Sequence, residues 1–247
     1  MLNLTPDQIR PLEEIQLSTW PTLRTALVDG YVARLGNGVT GRANSVNAVY
    51  ASTRPAPEVL AELEELYKAA GLPTVFRDTP LLPDAMREAL TVRGYKTFKP
   101  SVVQLAQSLP EAEADPAVAF KPKQDNAWLD ALGACGVVRG LLEKHRALLS
   151  LIAHPARFAT LSEDGEVLAV ALGVLDRGHF CIYEVNTAPA ARGRGIGKRL
   201  MRALLAEGRR MGGTKGLLQT QGDNEPARAL YRGFGFEVIY PYGYWQR

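Results

Sequence analysis

The sequence has little cysteine, a small net charge and no long hydrophobic run. Its two cysteines, Cys135 and Cys181, lie outside any CxxC pair and are too few for a disulfide framework. We therefore expect a protein of a reducing compartment, the cytoplasm. The formal net charge of +3 is too small to indicate nucleic acid or a membrane surface as the partner.

Hydrophobic segments are short throughout the sequence. The longest uninterrupted apolar stretch, residues 167–175, is far shorter than the ~20 residues that a membrane-spanning helix needs. Residues 1–10 show no basic region followed by an apolar one, so no signal peptide is expected. Hydrophobic residues nevertheless make up 46% of the chain and charged residues 22%, which is typical of a globular protein and argues against disorder.

One segment differs in composition from the rest of the chain. Residues 109–116 contain two prolines and three acidic residues, with almost no apolar bulk. Such a composition solvates well and is typical of a linker. It predicts two domains, at 1–108 and 117–247, each long enough to bury a core.

The second predicted domain combines helices with strands. Residues 126–150 have a helical pattern interrupted by glycines, with Asp125 as a candidate N-cap. Three β-rich runs separated by turns follow, at 157–161, 167–175 and 179–187. The remaining segments alternate between helix and strand, at 200–211, 217–221, 226–231 and 236–240. The order ααβββαβαβ predicts a mixed α/β domain, a mixed sheet flanked by helices.

The first predicted domain repeats this order in outline. We expect a hairpin of residues 26–35 and 40–50 around Gly36-Asn37-Gly38. Further elements are predicted as helices at 57–70 and 83–92 and as strands at 74–77 and 96–103. The segment REALTVRGYKTF also resembles ARALYRGFGFEV of the second domain. We interpret the chain as two copies of one fold; the alternative is coincidence of generic turn residues.

The strongest functional signal is the run of residues 192–197, RGRGIG, between a predicted strand and a predicted helix. Its three glycines allow sharp turns and a close approach of the backbone to a ligand. The first amides of the next helix have no partner within the helix, and the helix dipole is positive at that end. This arrangement suits a phosphate or pyrophosphate.

Two common phosphate-binding motifs do not fit this run. A Walker P-loop needs Gly-Lys-Ser/Thr, but Gly197 is followed by Lys198-Arg199 and the Mg²⁺-binding hydroxyl is missing. A dinucleotide fingerprint needs G-x-G-x-x-G, whereas the glycines here alternate with single residues.

The pattern Arg192-x-x-Gly195-x-Gly197 instead resembles the R-x-x-G-x-G motif of the GCN5-related N-acetyltransferases. Val185-x-Thr187-x-Pro189 precedes the motif, as the apolar strand and proline of that family do. One helix and one strand later the chain has a segment that fits the family's pattern, Asn224-x-x-Ala227-x-x-Leu230-Tyr231 followed by Gly235-Phe236. The resemblance covers nearly all of residues 117–247.

This resemblance implies acetyl-CoA, or another acyl-CoA, as the acyl donor and an amine as the acceptor. It also implies a set of residues around the cofactor: Val185, Thr187, Arg192, Gly193, Arg194, Gly195, Ile196, Gly197, Lys198 and Asn224. Asn224 has an alternative role as an N-cap before Pro226. The acceptor is expected to be a small-molecule amine or a protein amine, and the sequence does not indicate the oligomeric state.

Two residues are candidates for the proton transfers of such a reaction. Tyr231 is the candidate general acid for the CoA thiolate, because a phenol stays protonated at neutral pH. The alternative is an aromatic anchor that only packs its helix. Glu184 is the candidate general base, and the alternative is a solvent-facing or ion-paired strand residue. His145, His154 and His179 lack the spacing of metal ligands, so we expect them to be structural and expect no metal.

The first domain resembles the same fold only in a degenerate form. Its counterpart of the phosphate loop, residues 52–57, has no glycine, and its two prolines remove two amide donors. We therefore expect a non-catalytic first domain. The tandem architecture also resembles mycothiol synthases, but nothing in the sequence indicates that substrate.

Two alternatives to an enzyme are open from the sequence alone. One is a CoA-binding module that regulates a partner without acyl transfer. The other is a nucleic-acid binder, since basic residues are dense between 192 and 215. Aromatic residues for base stacking are not interleaved there, so we do not expect nucleic acid as a partner.

Overall fold

A computed structural model describes residues 4–37, 40–111 and 114–247. The described residues form seven α-helices: α1 (Pro6–Thr19), α2 (Ala56–Ala69), α3 (Asp84–Val92), α4 (Asn126–Ala134), α5 (Arg139–Leu149), α6 (Ile196–Arg210) and α7 (Glu225–Arg232). They also form eleven strands: β1 (Thr25–Val28), β2 (Tyr31–Arg34), β3 (Val46–Ala48), β4 (Val75–Asp78), β5 (Lys96–Ala106), β6 (Val118–Lys121), β7 (Ala156–Glu163), β8 (Glu166–Asp176), β9 (His179–Thr187), β10 (Lys215–Gln221) and β11 (Glu237–Gln246).

The predicted α/β class with mixed sheets is confirmed. Parallel pairs (β3 with β4, β9 with β10) occur beside antiparallel ones. The chain divides into two compact units. Unit 1 comprises residues 1–103, 221–223 and 238–247, and unit 2 comprises residues 104–220 and 224–237.

In unit 1 the strands follow the order β1-β2-β3-β4-β11-β5. The predicted hairpin of residues 26–50 exists as β2 and β3, but an additional reversal lies inside its first arm. Asp29 and Gly30 both adopt positive φ, at 40° and 87°, and join β1 to β2. An Asp-Gly pair favours this two-residue turn, so the single predicted strand 26–35 is two short strands. Gly38 of the predicted loop lies outside the described residues.

Helix α1 is an element that the sequence analysis did not predict. It contributes Glu13 and Gln16 to a buried polar network in unit 1. The Arg77 guanidinium on β4 pairs with Glu13 at 3.2 Å, and the Tyr240 hydroxyl on β11 donates to Glu13 Oε1 at 2.7 Å. Gln16 Nε2 donates to the Tyr240 hydroxyl at 3.0 Å. This network connects α1, β4 and β11, the last of which pairs antiparallel with β4.

In unit 2 the strands follow the order β10-β9-β8-β7-β6. The predicted succession of helices and strands matches the elements from α4 to β11, and residues 126–150 form two helices. Strand β6 was not predicted. The core of unit 2 includes Phe180, which is fully buried between the backbones of Gly173 on β8 and Gly208 on α6. The apolar face of α6 packs on this sheet, as the spacing of its leucines predicts.

The units differ from the predicted domains at their boundaries. Residues 104–108 belong to unit 2, and residues 221–223 and 238–247, which include most of β11, belong to unit 1. Part of the predicted linker is held within unit 2, because Leu109 is buried and its N–H donates to Thr214 O at 3.0 Å. Residues 112 and 113 of that linker lie outside the described residues. No helix in the described ranges has the length and hydropathy needed to cross a membrane.

Candidate active site

Residues 192–197, here called the cradle, follow β9 and the short 3₁₀ turn Pro189–Ala191, and they run into the first turn of α6. Gly193 and Gly195 adopt φ of 76° and 77°, a conformation that side chains with a Cβ rarely adopt. The first helical hydrogen bonds of α6 are donated by Lys198 and Arg199 to Gly195 O. The amides before Lys198 therefore stand ahead of the helical ladder, at its positive end. The buried Ile196 side chain fixes the loop to the core.

The positive charges near the cradle fall into two groups. Arg192, Arg194 and Lys198 are exposed. Arg199, by contrast, bonds to Asp115 Oδ2 at 3.0 Å and to Glu163. Its guanidinium lowers the pKa of Asp115 below the usual range, mainly through this hydrogen bond. The Arg199 guanidinium is thus bound to neighbouring carboxylates, whereas Arg194 and Lys198 face solvent and the exposed Arg192 donates to Thr187 O at 3.4 Å.

Strand β9 has a β-bulge at Glu184 and Val185, a few residues before the cradle. Val170 pairs with Asn186 and Leu172 pairs with Tyr183, so two residues of β9, Glu184 and Val185, oppose one residue of β8. Glu184 takes φ of 49°, an uncommon conformation for a residue with a side chain. Bulges of this kind re-aim side chains and often lie next to active sites.

Strands β9 and β10 pair over only part of their length. Their parallel register runs from His179 opposite Lys215 to Ile182 opposite Leu218. Beyond Ile182, β9 continues to Thr187 without further pairing to β10 among the described residues. The second half of β9, which contains Val185 and Thr187, therefore offers backbone groups at an open strand edge.

Tyr231 lies on α7 and Asn224 immediately precedes that helix, and the two side chains have different surroundings. Tyr231 is 8% exposed and packs edge-on against Phe236, with ring centroids 6.2 Å apart. Asn224 is the N-cap of α7, and its side-chain oxygen accepts from Ala227 N at 3.2 Å. The alternative role given to Asn224 thus has a geometric basis, and its side chain is used to start the helix that carries Tyr231.

Helix α7 lies close to the cradle. A methyl group placed on Gly197 would lie 3.5 Å from Thr187 Oγ1 and 3.6 Å from Leu230 Cδ2, which is ordinary contact. The buried side chains of Ile196 and Tyr231 belong to one core cluster, against which Val185 packs. The cradle, the open half of β9 and the helix of Tyr231 are therefore neighbours in unit 2.

A contact that sequence reasoning missed lies on the bulge. His145 Nε2 of α5 is 3.6 Å from Glu184 Oε1, and the two side chains are only 5% and 11% exposed. The other ring nitrogen, Nδ1, lies 2.9 Å from Leu141 O. The contact excludes a solvent-facing Glu184 and fits the ion-paired alternative, and the role of Glu184 as general base stays a prediction. No sequence motif marks His145, which is separated from Glu184 by 39 positions.

The corresponding loop of unit 1, which joins β3 to α2, is already bonded to a carboxylate. Asp29 accepts hydrogen bonds from the backbone N–H groups of Thr53 and Arg54, at 3.1 and 2.9 Å. The hydroxyls of Ser52 and Thr53 also donate to it, at 2.6 and 2.8 Å. These bonds lower the pKa of Asp29 far below the usual range, the Ser52 bond most. The loop thus binds an anion that belongs to the chain itself.

The described residues contain no group of three or more His, Cys, Asp or Glu side chains that could hold a metal ion. Both cysteines are buried, and burial raises the pKa of the Cys135 thiol. A raised thiol pKa makes the reactive thiolate scarce at neutral pH. Cys135 is therefore not suited to act as a nucleophile.

Comparison with known proteins shows a matching family and a relative of similar length. Residues 6–245 match the family model described as probable histone acetyltransferase Rv0428c C-terminal. The uncharacterized N-acetyltransferase YobR of Bacillus subtilis (strain 168) is 26% identical over 249 residues, which cover 96% of this chain and 98% of YobR.

Two solved structures share the fold at low sequence identity. A GCN5-related N-acetyltransferase from Kribbella flavida superposes with a TM-score of 0.68 at 14% identity, covering 96% of this chain and 94% of that one. A tandem GNAT protein from the clavulanic acid biosynthesis pathway gives a TM-score of 0.66 at 12% identity, covering 82% of this chain and 74% of that one. These likenesses concern the fold alone.

Proposed function

The chain belongs to the Rv0428c C-terminal acetyltransferase family, within the GCN5-related N-acetyltransferases, and from this premise we propose that it transfers an acetyl group from acetyl-CoA to an amine. The transfer is direct: the amine attacks the thioester carbonyl while both substrates are bound, and the CoA thiolate leaves. The observation that carries the proposal is the cradle beside the open edge of β9. The buried cysteines give no support to an acyl-cysteine intermediate.

The cradle fits the diphosphate of CoA in both shape and charge. The positive φ values of Gly193 and Gly195 turn the backbone without side chains that would hinder an anion. The amides at the start of α6 donate hydrogen bonds, and Arg192, Arg194 and Lys198 add charge from exposed positions. Arg199 takes no part, because its guanidinium is held by Asp115 and Glu163.

The open half of β9 fits the pantetheine arm of CoA. Pantetheine is an extended chain with amide groups, and such a chain can bind to a free strand edge as an added strand does. Beyond Ile182 the backbone of β9 has no pairing to β10 among the described residues, so Val185 and the N–H of Thr187 can exchange hydrogen bonds with it. Thr187 O already accepts a hydrogen bond from Arg192 Nε at 3.4 Å. This route leads from the cradle along β9 to the bulge at Glu184, where the thioester would lie.

Two side chains supply the proton transfers in this proposal. The Glu184 carboxylate accepts the proton that the amine nitrogen loses when it becomes an amide. The Tyr231 hydroxyl donates a proton to the departing thiolate, because a phenol is a weak acid that is protonated at neutral pH. Tyr231 is nearly buried beside the cradle and Glu184 sits on a strained bulge, which are environments typical of active sites.

We propose further that unit 1 is a non-catalytic copy. The amides of Thr53 and Arg54 in its loop donate to the Asp29 carboxylate, so they are not available to the phosphates of CoA. Both cysteines are buried and neither forms a disulfide, which supports a reducing compartment, and we assign the protein to the cytoplasm.

Titration calorimetry with acetyl-CoA tests the cradle. We expect one site per chain, and we expect Arg194→Glu to weaken the affinity. A charge-assisted contact is worth about 1.5–3 kcal/mol, which corresponds to a roughly ten- to hundredfold higher Kd. Arg202→Glu on the exposed face of α6 is the matched control and should bind as the unmodified protein does. No binding by the unmodified protein would overturn the proposal.

The acceptor class is tested by release of free thiol from acetyl-CoA. We propose an amine acceptor, either in a small molecule or in a protein. The family description names a histone acetyltransferase, which supports including a protein amine. The assay therefore compares spermidine, an aminoglycoside and a lysine-rich peptide. Amine-dependent release with any of them supports the transferase and identifies its class, whereas the same slow release with and without amine contradicts it.

A further inference from the structure

The proposed proton transfers use Glu184 but not its buried contact with His145. We propose that the two side chains act as one unit, in which His145 positions Glu184 and holds the proton that the carboxylate takes from the amine. This inference rests on the proposed function, because it specifies how the base of that reaction works. It makes His145 a positioning residue that acts through Glu184.

The hydrogen bond at Nδ1 defines which nitrogen of His145 faces the carboxylate. Leu141 O can only accept, so Nδ1 must carry a hydrogen and donate it across the 2.9 Å contact. In the neutral ring the lone pair is therefore on Nε2, which faces Glu184 Oε1 at 3.6 Å. The ring is held by its own helix, so its orientation toward the bulge is fixed before any substrate binds.

This geometry favours the uptake of a single proton. When His145 is neutral and Glu184 is ionised, two electron-rich atoms face each other in a site that is almost closed to solvent. One added proton turns this contact into an imidazolium–carboxylate pair with no net charge. Attraction replaces repulsion, and the poor solvation of the site strengthens the effect. The pair is thus better suited to receive a proton than a solvated carboxylate would be.

The proposed step keeps every atom and charge in balance. The amine lone pair forms the new C–N bond while the C–S bond breaks, and sulfur leaves with the bonding electrons. The nitrogen loses one proton to Glu184, from which it passes to His145 Nε2. The sulfur receives one proton from the Tyr231 hydroxyl. Return of a proton to Tyr231 and its loss from His145 restore the resting state, and no oxidant or metal is needed.

Side-chain replacement separates this role from simple packing. Glu184→Gln keeps the shape of the side chain but removes the base, and His145→Gln keeps a polar group but cannot hold the proton. His179→Gln is the matched control. His179 lies on β9, the strand of Glu184, and its Nδ1 contacts the backbone carbonyl of Arg177, as Nδ1 of His145 contacts that of Leu141. Calorimetry with acetyl-CoA, which should bind all variants alike, verifies that each one folds.

We expect Glu184→Gln to lower kcat about 100-fold and His145→Gln about tenfold or more, within the range of general base catalysis. KM for the amine should change less than about twofold, since neither change removes a binding group common to the ground state. The double variant should be no slower than Glu184→Gln alone, because residues that act as a unit are not additive. An unchanged kcat in His145→Gln, or a double variant that multiplies the two losses, would overturn the inference.

A second measurement needs no acceptor. Nitrogen-15 spectra of the histidine rings distinguish a protonated Nε2 from a bare one. At the same neutral pH, we expect a larger protonated fraction of His145 Nε2 in the unmodified protein than in Glu184→Gln. Equal protonated fractions in the two proteins would overturn the proposed coupling of His145 with Glu184, even if no amine is acetylated. Absence of thiol release with every amine would instead refute the transferase, so the two failures are distinguishable.

Discussion

The backbone N–H of Arg54 donates a 2.9 Å hydrogen bond to the carboxylate of Asp29, which lies in the turn between β1 and β2. Asp29 also accepts from the amide of Thr53, so one side chain uses two adjacent amides at the entrance to α2. In unit 2 the amides of residues 193–197 donate no backbone hydrogen bond among the described residues. The loop of unit 1 thus binds an anion of its own chain, whereas we propose that the loop of unit 2 binds the anion of a ligand.

This difference predicts that the chain binds one acetyl-CoA and that Asp29 protects its loop. Asp29→Asn removes the charge that holds the Thr53 and Arg54 amides, and both should exchange their hydrogens faster. Calorimetric stoichiometry should stay at one in the variant. Asp7→Asn, at an exposed position of α1, is the control and should leave the exchange of these amides unchanged. A stoichiometry of two in the unmodified protein would contradict a non-catalytic unit 1.

A second prediction concerns the hydroxyl of Tyr231. Tyr231→Phe keeps the ring that packs on Phe236 and removes only the proton donor. Turnover should fall at least about tenfold, the low end of acid–base effects, while acetyl-CoA affinity is retained. Tyr50→Phe removes an exposed hydroxyl and should retain full turnover. Unchanged turnover in Tyr231→Phe would leave Tyr231 as a packing residue and would remove it from the mechanism.

A third prediction concerns the acid stability of unit 2. Glu207 of α6 accepts hydrogen bonds from Arg210 and from Arg157 of β7, and these bonds lower the pKa of Glu207 below its ordinary value of 4.5. A depressed pKa means that the unfolded chain binds the proton more readily. The stabilisation is therefore fully present above about pH 4.5 and is lost as the pH falls through the folded-state pKa.

Urea unfolding at several pH values measures this effect. Glu207→Gln should be less stable than the unmodified protein by about 1–3 kcal/mol at neutral pH. The difference should shrink as the pH is lowered below 4.5, because the carboxylate is protonated first in the unfolded chain and, at lower pH, in the folded protein as well. Glu166→Gln, at an exposed position of β8, should show no comparable dependence. A difference that is constant with pH would show that the charge of Glu207 is not the cause.

Local features of the fold could be predicted from the sequence, because they depend on neighbouring residues. Glycine, proline and Asp-Gly pairs place the turns of unit 2, and residues 192–197 predict the cradle from their glycine spacing. Pairings between strands that are distant in sequence leave no comparable local pattern in the sequence. Strand β11 pairs with β4, Gly243 opposite Asp78, and no local pattern assigns it to the first unit rather than the second.

In the candidate site, too, local features could be predicted from the sequence and long-range contacts could not. The cradle and Tyr231 were predicted from motif spacing, and their functional roles stay predictions. The contact of His145 with Glu184 was missed because it joins a helix and a strand that are distant in sequence. Asp29 was missed because its hydrogen bonds cross 24 and 25 positions to Thr53 and Arg54. Its Asp-Gly turn was visible, but a turn signal says nothing about where the carboxylate points.

The last prediction tests the packing that supports the cradle helix. Phe180 of β9 is fully buried, and its ring lies against α6 at Gly208. A methyl group on Gly208 would come within 2.5 Å of Phe180 Cδ1, closer than any real contact. Because the ring is also confined by Gly173, where a methyl group would lie 2.0 Å from Cζ, it cannot move aside. Overpacking of this kind typically costs about 1–3 kcal/mol.

Gly208→Ala should therefore lower the free energy of unfolding by about 1–3 kcal/mol, although alanine is the better helix former. Gly140→Ala in α5 is the matched control, since nothing lies within 4 Å of the added methyl group. Its helix propensity should raise the free energy of unfolding by up to about 1 kcal/mol. Urea denaturation of both variants separates the two effects. Stabilisation by Gly208→Ala would mean that Phe180 can repack. The position of α6 would then not depend on the contact between Gly208 and Phe180.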